Sequence, residues 1–145
     1  MKFHAFIDGA ARGNPGPAGA GVFVAAEGDR PAEELFEALG RTTNNVAEYR
    51  ALLLALARAE ELGATDVSIA SDSLLLVQQM LGVYRVKAPH LRPLFAEALR
   101  RAKGFRRFSI VHVPREQNKL ADRLANLGAD VSERRVAGDA LPLPR

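Results

Sequence analysis

The chain has 145 residues, of which 48% are hydrophobic and 26% are charged, and its formal charge is +3. This balance is typical of one soluble globular domain, and the mild basicity permits a polyanionic partner without requiring one. No apolar run approaches the ~20 residues that a membrane-spanning helix needs, and the first apolar run begins too early for a secretory signal. The absence of cysteine excludes disulfides and thiolate metal ligands. We expect a cytoplasmic protein that does not enter membranes.

Hydrophobic periodicity and turn residues predict alternating strands and helices. Strands are expected at 3–8, 18–26, 67–71 and 105–113, and helices at 73–81, 90–103 and 118–130. The segment 33–41 fits either a short helix or a third antiparallel strand. This order favours a mixed sheet with helices on its faces.

Two further boundaries follow from local signals. A long helix is expected to run through Glu61, with Asn44 or Asn45 as its cap and Gly63 as its stop. Residues 131–145 have weak periodicity and two prolines, so we expect a flexible tail there, after a single domain over residues 1–130.

Two aspartates stand where predicted strands end. Asp8 follows an apolar run and precedes a glycine-rich loop at 9–16, and Asp72 follows a second β-rich run. An unpaired carboxylate at the edge of a core is costly, and a metal ion is a strong candidate to compensate it. Because ligands of such sheets lie at the carboxyl ends of strands, we expect both aspartates in one acidic site.

Glu48 and Asp122 are two more candidate carboxylates, each near the start of a predicted helix and each among apolar neighbours. The alternative for both is a simple interaction with the positive end of the helix dipole. Asp8 has a comparable alternative, since an aspartate can cap a turn.

Four segments, taken together and in this order, resemble the ribonuclease HI family. They are Asp-Gly-x-x-x-Gly-Asn-Pro-Gly from Asp8, Thr-Asn-Asn-x-x-Glu ending at Glu48, Asp72-Ser73, and His112 followed ten residues later by Asp122. The resemblance covers residues 3 to about 128. It implies an α/β RNase H-like fold, a five-stranded mixed sheet whose first three strands are antiparallel, with helices on both faces. That fold favours a strand at 33–41.

The resemblance also implies a reaction, the hydrolysis of the RNA strand of an RNA–DNA hybrid to leave a 5′-phosphate and a 3′-hydroxyl. Phosphodiester hydrolysis can be served by two divalent ions about 3.5–4 Å apart. Two Mg²⁺ ions, with Mn²⁺ as a possibility, are expected on four carboxylates, with Asp8 as the bridging ligand: Asp8, Glu48, Asp72 and Asp122.

The remaining site residues concern proton transfer and substrate. His112 is expected to shuttle a proton or aid product release, although a strand histidine can also be purely structural. The resemblance places Asn14 and Asn44 at the minor groove of the hybrid and Thr43 at a DNA-strand phosphate. Candidate substrate-binding residues are Gly9, Asn14, Thr43, Asn44, Asn45 and Asn118. The asparagines at 44 and 45 can alternatively be only helix caps.

The chain departs from well-known bacterial members at Leu74 and Val46, where some members have polar or basic residues. The segment 73–89 is too short for their basic protrusion, and Arg85 and Lys87 are at most a reduced substitute. We therefore expect a compact branch, acting as a monomer. The alternatives are a relaxed preference for duplex RNA or RNA–DNA junctions, or a non-catalytic nucleic-acid-binding module. The basic residues within 100–107 are expected to be solvated surface.

Overall fold

The computed structural model describes residues 1–136. The strands are β1 (Lys2–Ala11), β2 (Gly16–Val24), β3 (Glu33–Thr42), β4 (Asp66–Ser71) and β5 (Arg107–His112). The helices are α1 (Asn44–Glu61), α2 (Leu74–Met80), α3 (Arg92–Lys103) and α4 (Lys119–Val136), with a short 3₁₀ turn at Arg115–Gln117. No helix among residues 1–136 is both long and apolar enough to span a membrane.

The five strands form one mixed sheet in the order β3-β2-β1-β4-β5. Strand β1 pairs antiparallel with β2, which pairs antiparallel with β3, whereas β1–β4 and β4–β5 are parallel. The predicted fold class is confirmed, and the segment from Glu33 is a strand, as the resemblance favoured.

Helices cover both faces of this sheet. On one face, Phe3, Ala5 and Ile7 of β1 are buried in the core together with residues of α1. On the other face α4 crosses β2, where an added β-carbon at Gly19 or Gly21 would lie 2.2 or 2.3 Å from backbone atoms of α4. Only residues without a β-carbon allow a helix to lie this close to a strand.

Helix α4 is longer than expected, so the predicted tail began too early. Residues 131–136 are helical, and Ser132 is buried. Its hydroxyl donates to the carbonyl of Ala18 (2.6 Å) and accepts from the N–H of Gly40 (2.9 Å). These contacts come from distant strands, which local periodicity cannot reveal. The rest of the predicted tail, residues 137–145, lies outside the described residues.

Replacing Ser132 with alanine is expected to lower the free energy of unfolding by about 1–2 kcal/mol, because two backbone groups lose their partner. Urea unfolding measures this change. Ser109→Ala, at an exposed position of β5, is the matched control and should leave stability unchanged. Equal stability of the two variants would show that Ser132 does not anchor the end of α4.

Candidate active site

Asp8 and Asp72 lie side by side where the parallel part of the sheet stops. Strand β1 continues to Ala11, so Asp8 lies within the strand and not at its end as the sequence suggested. The reason is that β1 stays paired with β2, while its parallel pairing with β4 ends at Ile7 and Ser71. Both aspartates therefore stand one residue beyond the last parallel pair.

Glu48 joins these two aspartates from the beginning of α1. Carboxylate oxygens of Asp8, Glu48 and Asp72 all lie within 4.8 Å of one another. Asp8 is only 7% exposed and Glu48 only 4%. The sequence-based prediction of one shared acidic site agrees with this geometry for these three residues.

Gly9 allows α1 to come this close. A β-carbon at Gly9 would lie 2.3 Å from the backbone of Ala47 and Glu48. The N–H of Gly9 donates to Asp8 Oδ1 (3.0 Å) and to Glu48 Oε1. We predicted a substrate contact here, but Gly9 is buried and its N–H is taken up by the two carboxylates.

The three carboxylates are electrostatically unfavourable when all are ionised. Burial raises the pKa of Asp8, and the charges of Glu48 and Asp72 raise it further. Burial also raises the pKa of Glu48, although hydrogen bonds, including that from the Gly9 N–H, oppose the increase. Arginine and lysine ion pairs within residues 1–136 do not involve these carboxylates. Compensation by a cation would relieve the repulsion.

Asp122 approaches the same cluster from α4. It lies in the first turn of the helix and is exposed, and hydrogen bonding to it contributes to the raised pKa of Asp8. The side-chain amide of Asn126 donates to the Asp122 carbonyl (2.9 Å) and to its Oδ1 (3.3 Å). Asp122 thus stands at the edge of the trio formed by Asp8, Glu48 and Asp72, and Asn126 of its own helix holds it there.

His112 ends β5 at the same edge of the sheet. It is in register with Ser71, the residue before Asp72. Its side chain is exposed, so it is not a buried structural histidine. This position leaves the imidazole accessible to water and to a substrate near the acidic residues.

Polar residues of the β1–β2 loop and of the start of α1 form a rim beside the carboxylates. Asn14 Oδ1 accepts from the backbone N–H of Asn44 (3.0 Å), so these two predicted substrate residues are adjacent. The cap of α1 is Thr43, whose hydroxyl accepts from the N–H of Val46 (3.2 Å), and not Asn44 or Asn45. Because Thr43 fills the capping role, both asparagine side chains are exposed and available for other contacts.

Asn118, like Gly9, is a predicted substrate residue that the structure buries. It is 1% exposed, and its Nδ2 donates to the carbonyl of Ile7 (2.9 Å). Within the described residues its Oδ1 is buried without a partner. Asn118 therefore ties the start of α4 to β1 next to Asp8, and it does not face a substrate.

Sequence reasoning missed two residues that build the surroundings of the site. The Tyr49 hydroxyl donates to Gln79 Oε1 (2.6 Å) in a buried contact between α1 and α2. Arg12, in the glycine-rich loop, contacts the far part of α4. No local pattern could have indicated either pair, because the partners are distant in the chain. For Arg12 the sequence offered one signal, a lone arginine inside an otherwise small-residue loop, but this signal does not identify its partners.

Known proteins are similar in sequence to this chain over most of its length. The family described as "Reverse transcriptase-like" matches residues 6–128. The chain is 46% identical over 143 residues to the "Bifunctional protein Rv2228c" of Mycobacterium tuberculosis, covering 98% of this chain and 39% of that protein. It is 44% identical over 130 residues to "Ribonuclease HI" of Halobacterium salinarum, covering 89% of this chain and 65% of that protein. The chain thus spans about two fifths to two thirds of the length of these curated relatives.

Solved structures show the same fold. The N-terminal RNase H domain of rv2228c from Mycobacterium tuberculosis, solved as a fusion with maltose binding protein, has a TM-score of 0.87 at 44% identity, covering 94% of this chain and 99% of that chain. LC11-RNase H1 in complex with an RNA/DNA hybrid has a TM-score of 0.82 at 41% identity, covering 90% of this chain and 98% of that chain. With the acidic residues, the sheet order and these relatives in agreement, the chain belongs to the ribonuclease H family.

Proposed function

We propose that this chain is a metal-dependent endoribonuclease that hydrolyses the RNA strand of RNA–DNA hybrids and leaves a 5′-phosphate and a 3′-hydroxyl. The observation that carries the proposal is the trio of buried Asp8, buried Glu48 and half-buried Asp72, with oxygens within 4.8 Å of one another. Mutual repulsion and burial make such a trio unfavourable without a cation. A relative at 41% identity is described in complex with an RNA/DNA hybrid, which supports the substrate class.

The donor set fits hard divalent cations. All candidate ligands are carboxylate oxygens, which suit Mg²⁺ and Mn²⁺. Asp8, Glu48 and Asp72 would hold one ion, and Asp122 would help Asp8 hold a second when substrate phosphate is present. When bound, such ions supply an activated water and shield the phosphate charge.

The residues around the carboxylates bind and orient the substrate. Asn14 and Asn44 offer amide donors and acceptors to the 2′-hydroxyls in the wide minor groove of the RNA strand. Thr43 and Asn45, on the same rim, would contact the nucleic-acid backbone. His112, exposed at the end of β5, would take up or release a proton near the scissile phosphate.

A second candidate is an RNase H-like nuclease that also accepts duplex RNA. Leu74 opens α2 two residues after Asp72 and is 47% exposed, so an apolar side chain stands where a substrate contact would confer selectivity. Loss of a polar contact weakens discrimination between substrates that differ in hydroxyl groups. A non-catalytic binding module is less well supported, because all four carboxylates are present.

A gel assay with a labelled RNA strand tests the proposal. RNA–DNA hybrid, duplex RNA and single-stranded RNA are incubated with Mg²⁺, Mn²⁺ or chelator, with Asp72→Asn as the control. We expect metal-dependent cleavage of the hybrid and none by Asp72→Asn. Additional cleavage of duplex RNA would support the second candidate. No cleavage by the folded protein with either metal would contradict both.

His112→Ala is expected to lower kcat on the hybrid by about 10²-fold without abolishing cleavage, because proton transfer by a positioned side chain contributes rate but the carboxylates remain. Single-turnover kinetics and hybrid affinity should be measured together, with affinity unchanged. His90→Ala, at an exposed position before α3, is the control. Activity as low as that of Asp72→Asn would mean that His112 has a larger part in the reaction than proton handling.

A further inference from the structure

Arg12 connects the loop that carries Asn14 to the last helix. Its Nη2 lies 2.5 Å from Asp130 Oδ1, and its Nη1 pairs with Glu133. Nη2 also donates to the carbonyl of Asn126 (3.3 Å). One guanidinium thus joins the first hairpin of the chain to α4, across 121 positions of sequence in the case of Glu133.

The connection continues along α4 toward the acidic site. The side-chain Oδ1 of Asn126 also accepts from Arg12 Nη2 (3.4 Å), and its Nδ2 donates to Asp122 one helical turn earlier. The spacing of four residues places Asp122, Asn126 and Asp130 on one face of the helix. Arg12 is therefore linked through the side chain of Asn126 to Asp122, which stands at the edge of the carboxylate trio.

The Asn14 loop is held from two sides. On the α1 side, Asn14 Oδ1 accepts from the N–H of Asn44 (3.0 Å). On the α4 side, the loop is held by Arg12, whose own N–H closes the hairpin by donating to the carbonyl of Pro17 (2.8 Å). Loss of the Arg12 side chain would leave the loop tethered to α1 alone.

A contribution to stability does not account for this arrangement. The side chains of Arg12, Asp130 and Glu133 are 33%, 49% and 56% exposed, and exposed ion pairs add little to stability because water and salt screen them. The charges of Arg12, Asp130 and Glu133 have a larger effect on the binding of a polyanionic substrate than on stability. Without Arg12, the face of α4 that leads to the site would present Asp130 and Glu133 with no neutralising partner from the loop.

We propose that Arg12 is a positioning residue, which holds the Asn14 loop against the minor groove by tying that loop to α4. The inference rests on the proposed function, since it concerns binding of the same hybrid. It identifies a determinant of substrate affinity that touches neither the substrate nor the carboxylate trio.

Steady-state kinetics on the hybrid separate positioning from stability. Arg12→Ala is expected to raise KM at least about five-fold and to change kcat by less than about three-fold, because alignment of the loop for binding is lost while the carboxylates stay in place. Arg12→Lys, which keeps the charge, should recover part of the affinity, and Glu133→Gln should raise KM in the same direction. The matched control is Arg58→Ala, since Arg58 forms a comparable two-pronged pair with Glu33 away from the site. It should change Tm about as little as Arg12→Ala does and leave KM unchanged.

Amide hydrogen exchange supplies a readout that does not need activity. In Arg12→Ala the N–H of Asn44 should exchange faster, because the Asn14 side chain that accepts from it is less well held; in Arg58→Ala it should not. Unchanged KM together with unchanged exchange in Arg12→Ala would overturn the inference. If the wild-type protein fails to cleave the hybrid, the proposed function fails, whereas wild-type cleavage with an unaffected Arg12→Ala variant refutes only the positioning of the loop.

Discussion

Replacing Asp8 with asparagine is expected to lower the rate of hybrid cleavage at least about 10³-fold and, at the same time, to stabilise the metal-free protein. The loss of rate follows because Asp8 interacts with each of the other three carboxylates and is the proposed bridging ligand. Metal ions supply several kcal/mol of transition-state stabilisation. The gain in stability follows because the variant no longer buries a carboxylate that the charges of Glu48 and Asp72 repel. We expect about 2 kcal/mol near pH 8, or a rise of roughly 6 °C in Tm.

The gain in stability should depend on pH in a defined direction. Burial, with the charges of Glu48 and Asp72, raises the pKa of Asp8 to about 10, whereas an unfolded aspartate titrates near 4. The folded protein therefore holds this proton more tightly than the unfolded chain does. The free energy of unfolding of the metal-free wild-type protein falls as the pH rises above about 4 and continues to fall toward the raised pKa. Asparagine does not ionise, so the difference between the two proteins grows from pH 4 to pH 9.

Thermal unfolding in chelator across this pH range, with a cleavage assay in Mg²⁺, tests both parts. Asp29→Asn, an exposed turn position, is the matched control and should change neither stability nor rate. Added Mg²⁺ should stabilise the wild-type protein more than Asp8→Asn, because it compensates the same repulsion. A variant that is inactive but less stable than the wild-type protein in chelator would show that Asp8 is not strained in the metal-free state.

Gly9→Ala is expected to reduce cleavage by about 10²-fold and to lower the free energy of unfolding by about 3 kcal/mol. The added methyl group would lie 2.3 Å from the backbone of Ala47 and Glu48. Since backbone cannot rotate out of the way, α1 must move away from β1, and overpacking of this kind costs stability. Glu48 would move with the helix, and displacements of about 1 Å at a reacting centre can cost two orders of magnitude in rate.

Urea unfolding and single-turnover cleavage measure the two effects of Gly9→Ala. Gly104→Ala is the matched control, because Gly104 has an ordinary φ of −74° and its nearest contact would be at 3.2 Å. We expect a small change in stability and no change in rate for the control. A fully active Gly9→Ala protein would mean that the site tolerates a different distance between α1 and β1.

Much of the fold and the acidic trio could be predicted because the signals are local. Alternation marks the strands, and Asp8 and Asp72 stand where apolar runs stop. Glu48 could be placed because the Thr-Asn-Asn start of α1 is recognisable, although the capping residue is Thr43 and not either asparagine. These features depend on residues within one turn or one strand of each other.

The features that could not be predicted depend on contacts between distant segments. Asn118 looked like a polar substrate residue, but its burial follows from the way α4 meets the carbonyl of Ile7. The helical residues after 130 have weak periodicity, and Ser132 is fixed by strands that lie about a hundred residues earlier. The role of Arg12 could not be predicted for the same reason, since its partners on α4 become neighbours only after the sheet has formed.

The short distance between α4 and β2 limits how this site can evolve. With no β-carbon at Gly19 and Gly21, the layer between helix and strand is thinner than a side chain, and the facing residues of α4, Ala121, Ala125 and Ala129, are fully buried. A randomised library at these three positions should return only the smallest side chains, because any larger one would lift the helix and carry Asp122 away from Asp8. The short distance between the backbones of α4 and β2 therefore limits which substitutions this surface tolerates. New substrate preferences must arise in the loops around it.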